Sequence, residues 1–206
     1  MKNKRPAVIF LLVITIALVL LLLVYGALYF FSEIKRPNTY AGVDLYPPDW
    51  NADILSEEEY LILDRSISYS DGFGTWHILN GDVYDTKDPV QLFLISYIQD
   101  LINGDATNLR AKYSESVIKA LKIPTSFTKQ RVYESKFTEI SKNEINRDGK
   151  ISFEYEFKIE YKIMKNDGTF RSDLSSDSIK GQYFTILQDD DNIQITKVVE
   201  YAVSIK

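Results

Sequence analysis

The apolar and polar positions of this chain fall into three stretches with different periods. From Pro6 to Ser32 there is no charged residue and almost every position is apolar. A helix of about 20 apolar residues crosses the ~30 Å hydrocarbon core of a bilayer, so this run predicts a transmembrane helix over residues 6–32 behind a short tail, residues 1–5. Residues 33–87 hold no sustained period: Pro37, Gly42, Pro47, Pro48, Asp71-Gly72-Phe73-Gly74 and Asn80-Gly81-Asp82 interrupt them every few positions. Ser56 and Glu59 have capping-box spacing and predict one short helix running through Tyr60, Leu61 and Leu63 to Arg65. Tyr40, Tyr46, Trp50, Tyr69, Phe73 and Trp76 are too many aromatics for a disordered tether. The segment is therefore expected to wrap irregularly onto a folded domain spanning residues 88–206.

That domain opens with the clearest helix start in the chain. Asp88 suits an N-cap, Pro89 sits where a missing N–H costs nothing, and Val90, Phe93, Leu94, Tyr97, Ile98, Leu101 and Ile102 recur at three and four. Asn103-Gly104 supplies a stop. A second helix is expected across Asp105 to Tyr113 and a third from Ser116 to Lys122, before Pro124. From Arg131 the period becomes 2. Ile151, Phe153, Tyr155, Phe157, Ile159, Tyr161 and Ile163 alternate with polar residues without an error, the mark of a half-buried antiparallel strand. Val132 to Ile145 precedes it through Arg147-Asp148-Gly149, and Asn166-Asp167-Gly168 is expected to turn the chain into a strand at Thr169 to Arg171. Ile179 to Leu187 and Ile193 to Ile205 flank Asp189-Asp190-Asp191-Asn192 as a further hairpin. Helices first and strands afterwards predict an α+β domain, two or three helices on a curved antiparallel sheet of about four to five strands.

Charge sets the orientation. Lys2, Lys4 and Arg5 precede the apolar run and only Lys35 and Arg36 follow closely, which favours an inside N-terminus and an extracytoplasmic domain. A cleaved signal peptide has a shorter apolar region, of about 7–15 residues, and the best small-residue site, Gly26-Ala27, is followed by Leu28, Tyr29, Phe30 and Phe31. A retained anchor in a cell membrane is expected. There is no cysteine, and no asparagine of residues 37–206 stands in an N-x-Ser/Thr sequon. That combination fits a bacterial envelope, and the Lys, Ile, Asp and Tyr richness a Gram-positive one. Of the 24 basic and 29 acidic residues, five and one lie before residue 37, which leaves 19 against 28 beyond it. An excess of nine negative charges opposes nucleic acid, whose recognition leans on Lys and Arg clusters.

Candidate chemistry is sparse. His77 is the only histidine, and no G-x-S-x-G accompanies it, so no Ser-His-Asp site is signalled. One histidine without cysteine cannot build a zinc site. Asp173, Ser175, Ser176 and Asp177, and again Asp189 to Asn192, offer oxygen ligands for calcium. Neither cluster has the spacing of an EF-hand loop, and Asp and Asn are also ordinary turn formers. No metal and no cofactor are expected. Gly168-Thr169-Phe170-Arg171-Ser172-Asp173 admits two readings: Arg171 bridges a sheet edge to its loop, or Phe170, Arg171, Asp173 and the nearby Tyr183 form a partner-binding edge.

Asp88-Pro89-Val90-Gln91-Leu92-Phe93-Leu94, Tyr97-Ile98 and Tyr113-Ser114 lead into the strands, and Asn103, Gly104, Asp105, Leu109 and Tyr113 match a phrase of the form N-G-D-x-x-x-L-x-x-x-Y. Over residues 88–204 the chain thereby resembles the nuclear transport factor 2-like, or ketosteroid-isomerase-like, cone fold. The resemblance implies a cone-like domain. Membrane-anchored members, among them assembly proteins of conjugation and type IV secretion machines, share the plan of short inside tail, one span and one outside domain. Enzymes of that fold place a carboxylate or tyrosine in an apolar pocket, for which Tyr97, Asp100, Tyr113, Tyr155 and Tyr161 are the candidates here. The leading expectation is a non-catalytic module that binds another membrane or envelope protein in an assembly, scaffold or sensor role. The alternatives are a pocket enzyme of the ketosteroid-isomerase kind and a calcium-dependent envelope module.

Overall fold

The long alternating stretch forms the centre of the sheet because its apolar side chains all point one way. In the computed structural model, which describes residues 43–81, 86–147, 149–190 and 192–201, six strands are present: β1 (Ile67–Ser70), β2 (Trp76–Ile78), β3 (Arg131–Arg147), β4 (Lys150–Met164), β5 (Lys180–Asp189) and β6 (Asn192–Tyr201). Their order is β2-β1-β3-β4-β5-β6. Every pairing is antiparallel except β1 on β3, which is parallel. Four helices, α1 (Glu58–Leu61), α2 (Pro89–Asn103), α3 (Ala106–Ala111) and α4 (Glu115–Leu121), complete an α+β fold, with a 3-10 turn at Ile54–Ser56. Residues 1–5 and the apolar run 6–32 lie outside the described residues. Among those described, no helix is long and apolar enough to cross a membrane.

Tyr155, Phe157, Ile159, Tyr161 and Ile163 of β4 are buried, together with Phe137 of β3, Phe184 and Ile186 of β5 and Ile195 of β6. Against them lie Val90, Leu94, Tyr97, Ile98 and Leu101 of α2 and Leu109 of α3. Each such side chain stabilises the fold by roughly 1.5–3 kcal/mol through the apolar area it withdraws from water. The alternation outruns the core at one end: Ile151 is 54% exposed, because the ladder to β5 begins only at Ser152 and Ile151 has β3 alone beside it.

The helix signals before the strands act as read. Asp88 Oδ1 accepts from the backbone N–H of Val90 at 2.8 Å and of Gln91 at 3.1 Å, with Pro89 in the first turn. Gly104 closes α2 at φ 68°, a left-handed conformation that glycine adopts without the Cβ penalty. Asp105 caps α3 through the N–H of Asn108.

Three expectations are corrected. The sheet has six strands rather than four to five, since the segment expected to be irregular contributes β1 and β2. Ser56 is not the cap of α1: its hydroxyl turns back to donate to the Asp53 carbonyl at 2.8 Å, and the helix starts after Glu57. Thr169 to Arg171 is not a strand. There the side chain of Asn166, 1% exposed, donates to the carbonyls of Arg171 (2.8 Å) and Leu174 (2.5 Å) and accepts from the N–H of Gly168. That organises residues 165–179 as an ordered loop between β4 and β5. The α1 region is itself tied to the start of β3: Tyr60 Oη donates to the Val132 carbonyl at 2.8 Å, and Arg131 forks onto the Glu57 carboxylate, Nε to Oε2 at 2.7 Å.

Candidate functional site

The interior is the place to look for catalysis. Of the five candidate pocket residues, Tyr97 on α2, Tyr113 after α3 and Tyr161 on β4 converge, each at most 4% exposed. Tyr113 Oη lies 3.1 Å from Tyr97 Oη. Their rings pack edge-on around Phe184, with centroids 5.5 Å (Tyr97) and 6.2 Å (Tyr113) from it. Burial pushes all three phenols up from their ordinary range, so they remain protonated, and Tyr97 and Tyr113 hydrogen-bond to each other as neutral hydroxyls. The Tyr161 hydroxyl is buried without a hydrogen-bond partner. Asp100 and Tyr155 face other work. Asp100 Oδ2 sits 2.5 Å from Lys112 Nζ; burial raises its carboxyl while the lysine draws it down. Tyr155 Oη donates to Gln188 Oε1 at 3.1 Å. Here the middle of the fold is occupied by aromatic rings.

At one end of this interior stands a neutral set of four charges. Arg171, from the loop, bonds Asp173 through Nε at 2.8 Å and Nη2 at 2.5 Å, and reaches Glu200 Oε1 on β6 at 2.8 Å. Lys180, the cross-strand neighbour of Tyr161, bonds the same two carboxylates at 3.3 and 3.1 Å. The side chains of Arg171 and Lys180 are 14% and 8% exposed. Burial acts to raise the Asp173 carboxyl, but the hydrogen bonds and charge of Arg171, joined by the charge of Lys180, bring it down to about 2. Glu200 is lowered by the same pair, also against the effect of its burial. Two largely buried cations held by two partly solvated carboxylates are costly to leave unpaired, and the set fixes the loop on the sheet.

The residues singled out as a partner edge do not share one surface. Arg171 and Asp173 lie in this charge set, and Phe170 packs on Phe127 with ring centroids 5.1 Å apart. Tyr183 points to the opposite face of the sheet, since it alternates with the core residue Phe184 and pairs across to Lys158 and Val199. The carboxylates weighed for calcium are spent elsewhere: Asp177 accepts from Tyr133 Oη, Asp189 from Ser152 Oγ, and Asp190 lies 3.6 Å from Lys150 Nζ. Asp191 is outside the described residues. No grouping of three or more His, Asp or Glu among the described residues is placed to hold a metal ion.

What sequence reasoning missed is the edge of the sheet. Among the described residues, β2 pairs with β1 alone. Trp76 and Ile78, which share a face, are 52% and 49% exposed, and Phe73 at the turn is 94% exposed. Ile78 also lines a groove of about 630 Å³, whose walls are mixed: Leu55, Leu61 and Ile102 on the apolar side, Asp64, Arg65 and Asn80 on the polar side. Ile62, 84% exposed, follows directly on α1. A strand edge with apolar side chains is the arrangement to which another chain adds a strand, its backbone supplying affinity and the side-chain pockets selectivity. Three residues are too few to show a period, so the alternation of Trp76, His77 and Ile78 carried no usable signal. Comparison of the chain with protein-family models, with curated proteins and with solved structures finds no match.

Proposed function

We propose that this chain is a single-pass membrane protein of a bacterial envelope, its N-terminus cytoplasmic and its domain from Val43 onward exported, and that this domain binds another envelope protein without catalysing a reaction. The observation that carries the binding role is the β2 edge, which among the described residues pairs with β1 alone, with Phe73, Trp76 and Ile78 exposed near a groove of mixed apolar and polar lining. The charge-free run 6–32 and the flanking cations support the membrane address. The aromatic filling of the interior and the pairing of Asp100 with Lys112 support a non-catalytic role, because a pocket enzyme needs room beside a desolvated acid or base. The order of helices before strands over residues 88–201 supports kinship with the cone fold.

Site-specific photo-crosslinkers in intact cells test the role. Placed at Phe73 and Trp76, they are expected to capture one discrete protein partner; placed at Phe170 and Tyr183, they probe the loop and the outer sheet face. Capture only from the latter pair would move the interface away from β2, and capture from none would remove the binding role. Protease added to wall-stripped cells tests the address, since an exported domain is cut and a cytoplasmic one is not.

A further inference from the structure

The far side of the α2 terminus carries a second concavity that the edge interface does not use. Its floor is two backbones in contact: a Cβ at Gly104 would lie 3.1 Å from both the Lys129 nitrogen and the Phe127 oxygen, and the N–H of Gln130 donates to the Leu101 carbonyl at 3.0 Å. The 127–129 segment is held from behind. Thr128, 3% exposed, has its hydroxyl 3.0 Å from Thr169 Oγ1, donates it to Asp167 and accepts from Gln130 Nε2 at 2.9 Å, while Phe127 is buried against Phe170. A preformed floor and wall spare a ligand the cost of ordering them.

The groove is open to solvent and offers about 540 Å³, within the range of small-molecule sites. Its walls present Asn103, Thr107, Thr125 and Ser126, all exposed, with Trp50 at one side, 58% exposed. The two charged residues that line it are Asp105 and Lys129. Asp105 is engaged as a cap, accepting from both the backbone and the side chain of Asn108. Opposite charges, short hydroxyl and amide side chains and one large aromatic face describe a ligand that is uncharged, rich in hydroxyls and apolar on one side. An anionic polymer would require a cation cluster, and an apolar ligand would require apolar walls.

We propose that this groove binds a neutral oligosaccharide, whose ring C–H groups stack on the electron-rich face of Trp50 while its hydroxyls bond Asn103, Thr107, Thr125 and Ser126. The site does not depend on the partner reading, because it is tested on the purified chain with no second protein present. The chain has two tryptophans, so Trp76→Phe leaves Trp50 as sole reporter. The full-length chain is held in a sugar-free zwitterionic detergent, since maltoside headgroups would compete, and is titrated with chitotriose and with maltotriose. A saturable change in Trp50 emission with at least one sugar is expected. Thr107→Ala and Ser126→Ala together are expected to weaken it about tenfold or more. Calorimetry should find binding lost in Trp50→Ala while the melting temperature holds; should that variant misfold, the Thr107 and Ser126 changes in the single-tryptophan background read the same site. No saturable response to either sugar at tens of millimolar, or undiminished binding by folded Trp50→Ala, overturns the proposal.

Discussion

The two edges of one sheet are finished in opposite ways. At β6, residues after α3 cover the strand: the N–H of Ile195 donates to the Lys112 carbonyl at 2.7 Å and the N–H of Ser114 to the Ile195 carbonyl at 3.0 Å, forming a short parallel bridge. Farther along, Glu200 is locked by Arg171 and Lys180. At β2 the corresponding edge carries Trp76 and Ile78, about half exposed, with a nearly bare Phe73 at the turn. An unprotected apolar edge invites unwanted association, and proteins usually blunt it with charge, proline or a covering segment. Among the described residues, one edge is thus guarded by backbone bonds and a four-membered charge set while the other presents apolar side chains, and it is on that difference that the proposed partner site rests.

Breaking the guarded edge should have the largest effect. Arg171→Ala leaves Asp173 and Glu200 with Lys180 alone, and is expected to cost about 2–3 kcal/mol, read as a fall in the urea midpoint. Acid probes the same set without mutation. The folded-state pKa values of Asp173, about 2, and of Glu200 lie below their ordinary ranges. The stability they contribute is therefore whole above about pH 4.5 and is lost as pH falls toward about 2. Because both side chains are partly solvated, the loss is about 1–2 kcal/mol rather than the unscreened figure. Asp173→Asn should flatten its share of that slope in denaturation curves taken across the window; a slope unchanged by the substitution would assign the acid response to other carboxyls.

Uncovering β6 is a gentler test. Ser114 already has φ −64°, so Ser114→Pro fits the backbone and removes the N–H that Ile195 accepts from, at about 1 kcal/mol. It should also raise self-association in sedimentation runs, if cover is what keeps that edge quiet. The smallest effect on folding belongs to the bare edge: Phe73→Ser and Trp76→Lys are expected to shift stability by no more than about 0.5 kcal/mol, while partner capture is lost. A large fall in melting temperature in either would mean that β2 serves the fold and not a partner.

How much of this was legible follows from the range of each interaction. The cap at Asp88, the stop at Gly104 and the alternation along β4 are local signals, and the structure follows them. β1 and β2, four and three residues long, lie among glycines and are defined only by β3, far along the chain, so no local pattern announced them. Tyr97, Tyr113 and Tyr161 were legible as aromatic positions on inward faces, but their meeting around Phe184 depends on three separate elements. Arg171 was noted beside Asp173; its bond to Glu200, 29 residues on, was not. The Asn166 turn was mistaken for a hairpin because its dipeptide chemistry is the same, whereas its side-chain bonds to Arg171 and Leu174 are what shape the loop.

The parallel seating of β1 on β3 has a consequence in time. Strands β3 to β6 follow one another and zip through short turns and one ordered loop, whereas β1 waits until the whole helical stretch has been folded back before its first bond to β3 is returned. Closing so long a loop spends entropy early and is rewarded late. The hairpin Ile67–Ile78 is therefore expected to settle late and to lift early, and its amides should exchange with deuterium well ahead of those in β4. A partner that clasps it would catch the molecule at its final step of assembly and, by holding that step closed, would steady everything laid down before it.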